Sequence, residues 1–387
     1  QWWGQWCARC TYDGPYREAV HRSLLTLKQL TYSLSGAVVA APTASLPETV
    51  GGIRNWDYRY CWLRDAALTL RAFIDLGHVS EGAHFLEWLL HATRLTQPFL
   101  QVMYDVYGET RLHEEELDHL AGYKGSRPVR IGNGAHDQLQ LDVYGSVTLA
   151  AWLFLNRGGR LGASERHLLV GFGRVVCNLW RQPDQGIWEI RDPGRHHTYS
   201  KFMCWLCLAA LLDLHDQGRL RVPVERFRRE RDAIAEAIEQ QGFNERLNSY
   251  VDRFDGDQPD ASLLLMGCFG YRPADDPRIQ GTLDFIDQRL GQGPLIRRYP
   301  EGVDGLPGVE GAFGICSFWA VDLLARAGRL DEATRRFEAL LEYANDVGLY
   351  GEEIDPDSGA ALGNFPQAFT HVGLITAAQT LVEQGQR

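Results

Sequence analysis

The sequence has no long apolar run and no excess of basic residues. None of its uninterrupted apolar stretches approaches the roughly 18 residues that a membrane-spanning helix needs. The N-terminus also lacks the basic segment followed by an apolar one that marks an export signal. With 50 acidic against 39 basic residues the formal charge is −11, whereas phosphate-binding surfaces need clustered Lys and Arg. We therefore expect a cytoplasmic protein that binds neither membranes nor nucleic acid.

Signatures of metal and phosphate binding are also sparse. Cys7 and Cys10 have the spacing of a zinc or redox pair, but no second pair with suitable spacing accompanies them. Cys204 and Cys207 fall within a strongly apolar predicted helix, where core packing is the favoured interpretation. Gly-rich pieces such as GNG and GGRLG lack the Lys-Ser/Thr that completes a phosphate-binding loop. We predict no metal and no cofactor, and interpret most Cys as buried free thiols in a reducing compartment.

Apolar residues at helical spacing dominate the sequence, while runs of strict alternation are scarce. Twelve candidate helices begin near Arg17, Arg64, Val79, Leu139, Ala163, Tyr199, Val224, Pro259, Pro277, Phe313, Leu330 and Gln367. The acidic run Glu114 to Asp118 is most simply a solvated helix face. At roughly 150 residues per domain, the length suggests two or three domains. No low-complexity linker divides the chain, however, and twelve helices without a boundary fit a stack of helical hairpins.

Long loops rich in Gly, Pro and aromatic residues separate the predicted helices. They cover 36–62, 99–138, 182–198, 292–312 and 348–366, and loops of that length in a compact domain are usually functional. The densest stretch, Pro42 to Asp65, has four aromatic residues among three Arg and two Asp: Trp56, Tyr58, Tyr60, Trp62, Arg54, Arg59, Arg64, Asp57 and Asp65. Aromatic faces with charged neighbours suit the C–H face and hydroxyls of a pyranose. A loop anchored by salt bridges and aromatic packing explains the same composition equally well.

Two further loops present carboxylates, Glu189 in GIWEI and the pair Glu352 and Glu353 in YGEEI. Glycoside hydrolysis needs one carboxyl that delivers a proton and a second that stays ionised. The apolar neighbours of Glu189 disfavour a charged carboxylate and suit it as the proton donor. Glu352 and Glu353 can point to opposite sides of an extended segment, so that only one enters a site. The alternative interpretation is that each is an ordinary solvated surface Glu.

Seven motifs in order resemble glycoside hydrolase family 15, the glucoamylase family, and in particular its bacterial members, which include trehalases and glucodextranases. They extend from about Tyr12 to Val382 and are RNWDYRYCWLRDA, NGAHDQLQLDVYG, GIWEIR, TYSKFMCW, DGLPGVEGAFGICSFW, GEEIDPDSG and LGNFPQAFTHVGL. The resemblance implies an all-α fold, an (α/α)6 barrel or six-hairpin toroid, with its site in the loops at one end. It implies one catalytic domain over residues 1–387. Residues 1–15 would be a lead-in from an absent upstream β-sandwich domain, and because the chain starts at Gln1 we expect it to be processed or excised.

The resemblance also assigns roles to single residues. It implies that Glu189 is the general acid and Glu352 the general base of an inverting reaction, with carboxyls roughly 6.5 to 9.5 Å apart. The residues that match sugar-binding positions of the family are Tyr58, Trp62, Arg64, Asp65, Trp188 and Arg298. The implied function is exo-acting hydrolysis that releases β-glucose from trehalose or another short α-glucoside. The implied partner is a small carbohydrate, and the oligomeric state is left open.

Departures from the family pattern keep other functions open. Ile190 and Arg191 stand where many fungal relatives have a second acid, which weakens any transfer of starch specificity, and Ser146 stands where bacterial relatives usually have Glu. A glucoamylase or glucodextranase that degrades starch or dextrin is therefore a close rival. A non-catalytic sugar-binding barrel is a second alternative. A phosphorylase is a third, against which Glu352 counts because such enzymes usually lack the second carboxylate.

Overall fold

The computed structural model describes residues 1–191 and 193–386, and within these ranges it has thirteen α-helices. Their bounds are α1 Trp2–Cys7, α2 Arg17–Gln29, α3 Leu63–Asp75, α4 Val79–Ala92, α5 Asp142–Asn156, α6 Ala163–Leu179, α7 Thr198–Asp216, α8 Val224–Ala237, α9 Leu265–Cys268, α10 Pro277–Leu290, α11 Gly314–Arg326, α12 Leu330–Leu341 and α13 Ala368–Gly385. Single turns of 3₁₀-helix cover Thr93–Leu95, Tyr123–Gly125 and Ala261–Leu264, and a π-turn covers Ile238–Gly242.

Six of the helical segments form a closed inner ring. Helix α3 packs against α5, α5 against α7, and α7 against the segment Ala261–Cys268, which consists of a 3₁₀-turn and α9. The ring continues through α11 to α13, which returns to α3. Helices α2, α4, α6, α8, α10 and α12 pack outside their sequence neighbours in the ring. This alternation of inner and outer helices is an (α/α)6 barrel, as the sequence predicts.

The inner helices are buried around most of their circumference. Helix α11 is buried from Gly314 to Ala325 without interruption, whereas the outer helix α12 buries only Ala333, Phe337 and Leu340. A helix that is apolar on all sides lies inside a structure, and a single apolar stripe marks a surface helix. The sequences of the two helices thus differ in the way that their positions in the barrel require.

All five long loops precede an inner helix. They lead into α3, α5, α7, α11 and α13, and therefore gather at the one end of the barrel where these inner helices begin. Short antiparallel strands order the loops: Ala44–Pro47 with Asn55–Asp57, Cys61–Trp62 with Met103–Tyr104, Glu115–Glu116 with Arg130–Ile131, Phe243–Asn244 with Ser249–Tyr250, Gly291–Gln292 with Leu295–Ile296, and the three-stranded sheet of Ala312–Phe313, Glu353–Ile354 and Ala361–Leu362. The loops are therefore ordered supports for side chains at one end of the barrel.

The structure corrects three expectations. The helix near Pro259 is only the short segment Ala261–Cys268: Asp260 caps its first turn, and Gly270, with a φ of +74°, follows its end. The acidic run is not helical, because Glu115–Glu116 forms a strand whose partner carries Arg130, an ion-pair partner of Glu116. The additional helix α1 was not expected.

The lead-in segment is packed onto the barrel through Trp6. Its indole stacks on His78 with ring centroids 4.1 Å apart, and Nε1 donates a hydrogen bond of 2.6 Å to Glu81. All eight Cys are free thiols, and all but Cys7 and Cys10 are buried, which agrees with the expectation for most of them. Within the described residues, no helix has both the length and the apolar character needed to cross a membrane.

Candidate active site

The eight residues predicted to form the site all line one pocket at the loop end of the barrel. They are Glu189, Glu352, Tyr58, Trp62, Arg64, Asp65, Trp188 and Arg298. The pocket has about 780 Å³ of empty space, part of which is open to solvent. Its walls also include Trp56, Ile190, Arg191, Phe313 and Phe369. The loops thus bring together residues that are up to 294 positions apart in sequence.

Glu189 lies in a tight turn that presents its side chain to the pocket. Its φ is +60°, in the left-handed region that a non-glycine residue rarely adopts, and Gly186 in the same turn has a φ of +71°. The indole Nε1 of Trp62 donates a hydrogen bond of 2.6 Å to Glu189 Oε1, and the Arg64 guanidinium lies 3.7 Å from the same oxygen. The strained backbone and these two contacts fix the carboxyl, a pattern that is typical of functional sites.

Glu352 lines the same pocket and is almost completely buried, with 1% of its surface exposed. The Tyr58 hydroxyl donates a hydrogen bond of 2.6 Å to Glu352 Oε1, while Oε2 has no hydrogen-bond partner among the described residues. Burial raises the pKa of Glu352 to about 7, although the charge of Arg298 and the Tyr58 hydrogen bond oppose the rise. The unpartnered oxygen and the near-neutral pKa give this carboxyl the properties of a general base.

One aromatic pair connects the two carboxyls. Tyr58 and Trp62 pack edge to face with ring centroids 5.3 Å apart, and each donates its polar hydrogen to a different carboxyl. Both lie in the short stretch between the strand Asn55–Asp57 and the start of α3. A single segment of chain therefore determines the positions of Glu189 and Glu352.

Arg64 and Asp65 occupy the first turn of α3 and are buried in the pocket wall. Arg64 donates to the carbonyl of Ile187 at 2.7 Å and to Asp65 at 3.1 Å, and it lies over the Phe369 ring at 5.3 Å. Burial raises the pKa of Asp65 to about 6, against the opposing charge of Arg64. These two residues offer fixed donors and acceptors of the kind that hold sugar hydroxyls.

Trp188 and Arg298 form another part of the wall. The Trp188 indole donates a hydrogen bond of 2.9 Å to Asp260, and burial raises the pKa of that Asp to about 6. The Arg298 guanidinium lies 5.9 Å from the Trp188 ring and 5.0 Å from the Phe313 ring. Arg298 therefore carries a buried positive charge into an aromatic part of the pocket.

A buried charge network that the sequence analysis missed supports Arg298. Its guanidinium donates to Glu310 at 2.8 and 2.7 Å and lies 3.4 Å from Glu48. Arg54 also bonds Glu310, and it pairs with Asp304 at 2.5 and 3.0 Å. The sequence signal for this network was present in Arg54 of the densest loop and in Glu310 of GVEGAF. Arg298 is 12 residues from Glu310, but Arg54 is about 250 residues from its partners Asp304 and Glu310.

The same network settles how the densest loop uses its charges. Arg54 anchors the loop through its ion pairs with Asp304 and Glu310, and Arg59 bonds its neighbour Asp57 at 2.8 and 2.7 Å. Tyr58, Trp62 and the first turn of α3 line the pocket, and so does Arg54. Anchoring by salt bridges and formation of the pocket wall are therefore both correct interpretations of this loop, and Arg54 takes part in both.

Three carboxylates of the network, Glu48, Glu310 and Glu353, offer oxygens within 4.8 Å of one another, close enough to share a metal ion. The guanidinium groups of Arg54 and Arg298 already supply positive charge among them. Burial raises the pKa values of Glu48 and Glu353 well above the usual range, which lowers the negative charge of the group further. The arrangement is thus explained by arginine and protons alone.

The departures from the family pattern lie in different places. Ile190 and Arg191 line the pocket beside Glu189. Ser146 does not line it: its hydroxyl donates to the carbonyl of Asp142 at 3.2 Å within α5. Arg191, unlike Ser146, is therefore positioned to contact a ligand.

The chain is similar to known proteins over most of its length. A model of glycosyl hydrolases family 15 matches residues 14–379. A trehalase of Thermoplasma acidophilum is 39% identical over 99% of this chain and 65% of its own, and one of Mycolicibacterium smegmatis is 42% identical over 97% and 57%. The chain thus spans less than two thirds of the length of these relatives.

Solved structures share the fold at low sequence identity. A bacterial glucoamylase in complex with acarbose has a TM-score of 0.76 at 15% identity, covering 98% of this chain and 58% of its own. A wild-type glycosidase has a TM-score of 0.74 at 18% identity, covering 94% and 96%. At these identities the likeness supports the barrel fold alone.

Proposed function

The chain belongs to glycoside hydrolase family 15, and from this premise we propose that it is an inverting exo-acting α-glucoside hydrolase that releases β-glucose from trehalose or another short α-glucoside. The observation that carries the proposal is that Glu189 and Glu352 line one pocket, each hydrogen-bonded by one member of the Tyr58–Trp62 pair. The trehalase names of relatives at 39% and 42% identity favour trehalose as the substrate.

In the proposed reaction, Glu189 is the general acid. Its carboxyl gives a proton to the glycosidic oxygen as the bond from this oxygen to the anomeric carbon breaks, so that the leaving sugar departs as a neutral alcohol. Trp62 holds Oε1 of the carboxyl, and the rigid turn at Glu189 keeps it directed into the pocket. The acid starts the cycle protonated and ends it ionised.

Glu352 is the proposed general base. Tyr58 occupies Oε1, which leaves Oε2 to accept a hydrogen bond from a water molecule. That water loses its proton to Glu352 while its oxygen bonds to the anomeric carbon from the face opposite the leaving group, which gives β-glucose. Exchange of protons with solvent then restores the starting states of both carboxyls.

The other pocket residues are proposed to hold the glucose unit whose bond is cleaved. Arg64 and Asp65 supply buried polar groups for hydroxyls, and Arg298 adds a fixed positive charge that the Glu310 hydrogen bonds orient. Trp188, Tyr58 and Trp62 supply aromatic surface for the sugar ring. A closed end of this kind fits a non-reducing terminal unit, which accounts for exo action.

A substrate panel tests the proposal. Trehalose, maltose, isomaltose and soluble starch are incubated with the protein, and the released sugar and its anomer are followed by proton NMR. From trehalose we expect β-glucose and α-glucose in equal amounts, because only the attacked anomeric carbon is inverted and the leaving glucose keeps its α configuration. Turnover of trehalose or another disaccharide is expected to exceed that of starch. Turnover of starch without trehalose would instead assign a glucoamylase, and sugar binding without turnover would assign a non-catalytic barrel. Phosphate-dependent release of glucose 1-phosphate would assign a phosphorylase.

A further inference from the structure

Beside Glu189, the mouth of the pocket carries a stack of charged and aromatic side chains that has no part in the reaction described above. The Arg191 guanidinium lies over the Trp56 ring at 4.5 Å from its centroid, and the Arg130 guanidinium lies 4.8 Å from the same ring. Trp56 is held in turn by a hydrogen bond of 2.8 Å from Nε1 to Glu48. Trp56 and Arg191 both line the pocket.

Glu114 fixes the orientation of Arg191. Its two carboxylate oxygens accept hydrogen bonds of 3.0 and 2.6 Å from the two terminal nitrogens of Arg191, and one of them also accepts from the backbone of Gly134 at 3.0 Å. A Cβ at Gly134 would meet the Arg191 guanidinium at 3.3 Å, so glycine gives the guanidinium room there. A paired fork of this kind is pre-organised, and it loses little entropy when it binds a ligand.

The position of the stack relative to the catalytic carboxyls indicates which part of a substrate it meets. Arg64, Asp65 and Glu352 are buried at the closed part of the pocket, while the Arg191 side chain is 37% exposed. Arg191 follows Glu189, the proposed proton donor to the leaving oxygen, by two residues and lines the same pocket. A sugar attached to that oxygen therefore extends toward Arg191 and Trp56.

We propose that Arg191, stacked on Trp56 and held by Glu114, binds the hydroxyls of the leaving sugar and makes the enzyme specific for a pyranose as leaving group. This inference rests on the proposed function. The guanidinium supplies N–H donors to the hydroxyls, and the exposed part of the Trp56 ring supplies apolar surface for the sugar ring. Arg191 is thus a specificity-determining residue and takes no part in proton transfer.

The test compares a substrate that has a leaving sugar with one that has none. For Arg191→Met we expect kcat/KM for trehalose to fall about 10- to 100-fold, because charge-assisted hydrogen bonds to the leaving sugar are lost. Hydrolysis of α-glucosyl fluoride, whose leaving group is a fluoride ion, is expected to change less than threefold. Arg191→Lys keeps the charge but not the fork, and we expect an intermediate loss on trehalose.

Arg181→Met is the matched control. Arg181 lies over the Trp180 ring at 4.2 Å and bonds Glu230 at 2.8 Å, but it does not line the pocket. The Arg181→Met substitution therefore removes the same kind of arginine stack from the outside of the barrel, and we expect this variant to hydrolyse both substrates as the wild type does.

If Arg191→Met lowers kcat/KM equally for both substrates, or for neither, the inference is wrong. The proposed function would still stand in that case, because the wild type hydrolyses trehalose. A wild-type protein that hydrolyses neither substrate would overturn both. Glu114→Gln weakens the hold on Arg191 without removing it, and a smaller selective loss on trehalose is expected for it. A loss confined to α-glucosyl fluoride would contradict the assignment.

Discussion

The two segments that supply the carboxyls differ in how each carboxyl is held. In the turn 186–191, Glu189 has a left-handed backbone, and its side chain is 19% exposed beside Arg64 and Trp62. In the segment 350–354, Glu352 is buried directly before the central strand of a three-stranded sheet, with Tyr58 as its hydrogen-bond donor. One carboxyl is therefore open toward the ligand space, and the other is removed from water before any ligand binds.

This difference matches the two tasks in an inverting reaction. A proton donor must reach the glycosidic oxygen of a sugar that enters from outside, so its site completes its desolvation when the substrate binds. A base that activates one water molecule benefits from a fixed, dry surrounding with one free acceptor oxygen, which is Oε2 of Glu352. Substitutions in the two segments should therefore have different effects on the kinetics.

The largest effects are expected from replacing the two carboxyls, and the leaving group of the substrate should distinguish them. For Glu352→Gln we expect kcat to fall about 10³-fold or more on both trehalose and α-glucosyl fluoride, since water activation is needed for each. For Glu189→Gln we expect a fall of about 10²- to 10⁴-fold on trehalose but a much smaller one on the fluoride, which leaves without protonation. Steady-state kinetics on both substrates measure this. The reverse pattern would exchange the two assigned roles.

A smaller effect is expected from Gly363→Ala, which adds a methyl group next to the base. A Cβ at Gly363 would lie 2.5 Å from Glu352 Oε2, and the φ of +72° disfavours alanine. We expect kcat to fall about 10- to 100-fold as the carboxyl is displaced. Gly359→Ala is the control, since its φ is +73° but its nearest neighbour would be Tyr343 at 3.7 Å.

Both glycine variants carry the same backbone cost of about 1 kcal/mol. The clash with Glu352 adds to this cost in Gly363→Ala, so its unfolding midpoint should fall further than that of Gly359→Ala, and only Gly363→Ala should lose activity. Equal activities of the two variants would show that the position of Glu352 does not limit the reaction.

A third effect concerns the pH profile. The Tyr58 hydrogen bond favours the ionised form of Glu352 and so lowers its pKa, which burial has raised to about 7. Tyr58→Phe removes this hydrogen bond, so the acidic limb of kcat/KM against pH should move to higher pH. Trp62→Phe removes the equivalent hydrogen bond from Glu189 and should lower the rate without moving this limb. If the acidic limb of the Tyr58→Phe profile does not move, Glu352 is not the group whose ionisation causes that limb.

The smallest effect is on stability. Because burial raises the pKa of Glu352 above its usual value near 4.5 to about 7, the folded state binds the extra proton. The free energy of unfolding therefore falls as pH rises between these values. As pH rises from 5 to 8, the free energy of unfolding of Glu352→Gln should become about 1–3 kcal/mol larger than that of the wild type, measured by denaturant unfolding. Glu301→Gln, at an exposed position, is the control, and we expect no such increase for it. An equal increase in both variants would show that burial of Glu352 is not the cause.

Local sequence patterns were sufficient for the helices and for the site segments. The uninterrupted apolar character of α11 and the single stripe of α12 are visible in the sequence, and so are the aromatic loops before the inner helices. The pocket residues were predicted because motifs such as GIWEI and YGEEI resemble those of the family, and their roles follow from that resemblance. Periodicity and local composition thus predict what is determined within one segment.

The charge network could not be predicted in the same way. Asp304 and Glu310 meet Arg54 from about 250 residues away, and no local pattern says which of 50 acidic residues fills that position. The segment 261–268 was also misjudged, because its apolar pattern continues although its glycines do not favour a long helix. Both errors arise where packing between distant segments, rather than local propensity, decides the outcome.

The sheet that carries Glu352 and Glu353 has one further consequence. Neighbouring residues of an extended chain face opposite sides, and here Glu352 faces the pocket while Glu353 accepts a hydrogen bond of 2.8 Å from Gly311 on the other side. A slip of one residue in the pairing with Ala312–Phe313 would place either Gly351 or Glu353 where Glu352 now stands. The pairing register of this sheet therefore decides which residue is presented to the pocket as the proposed base.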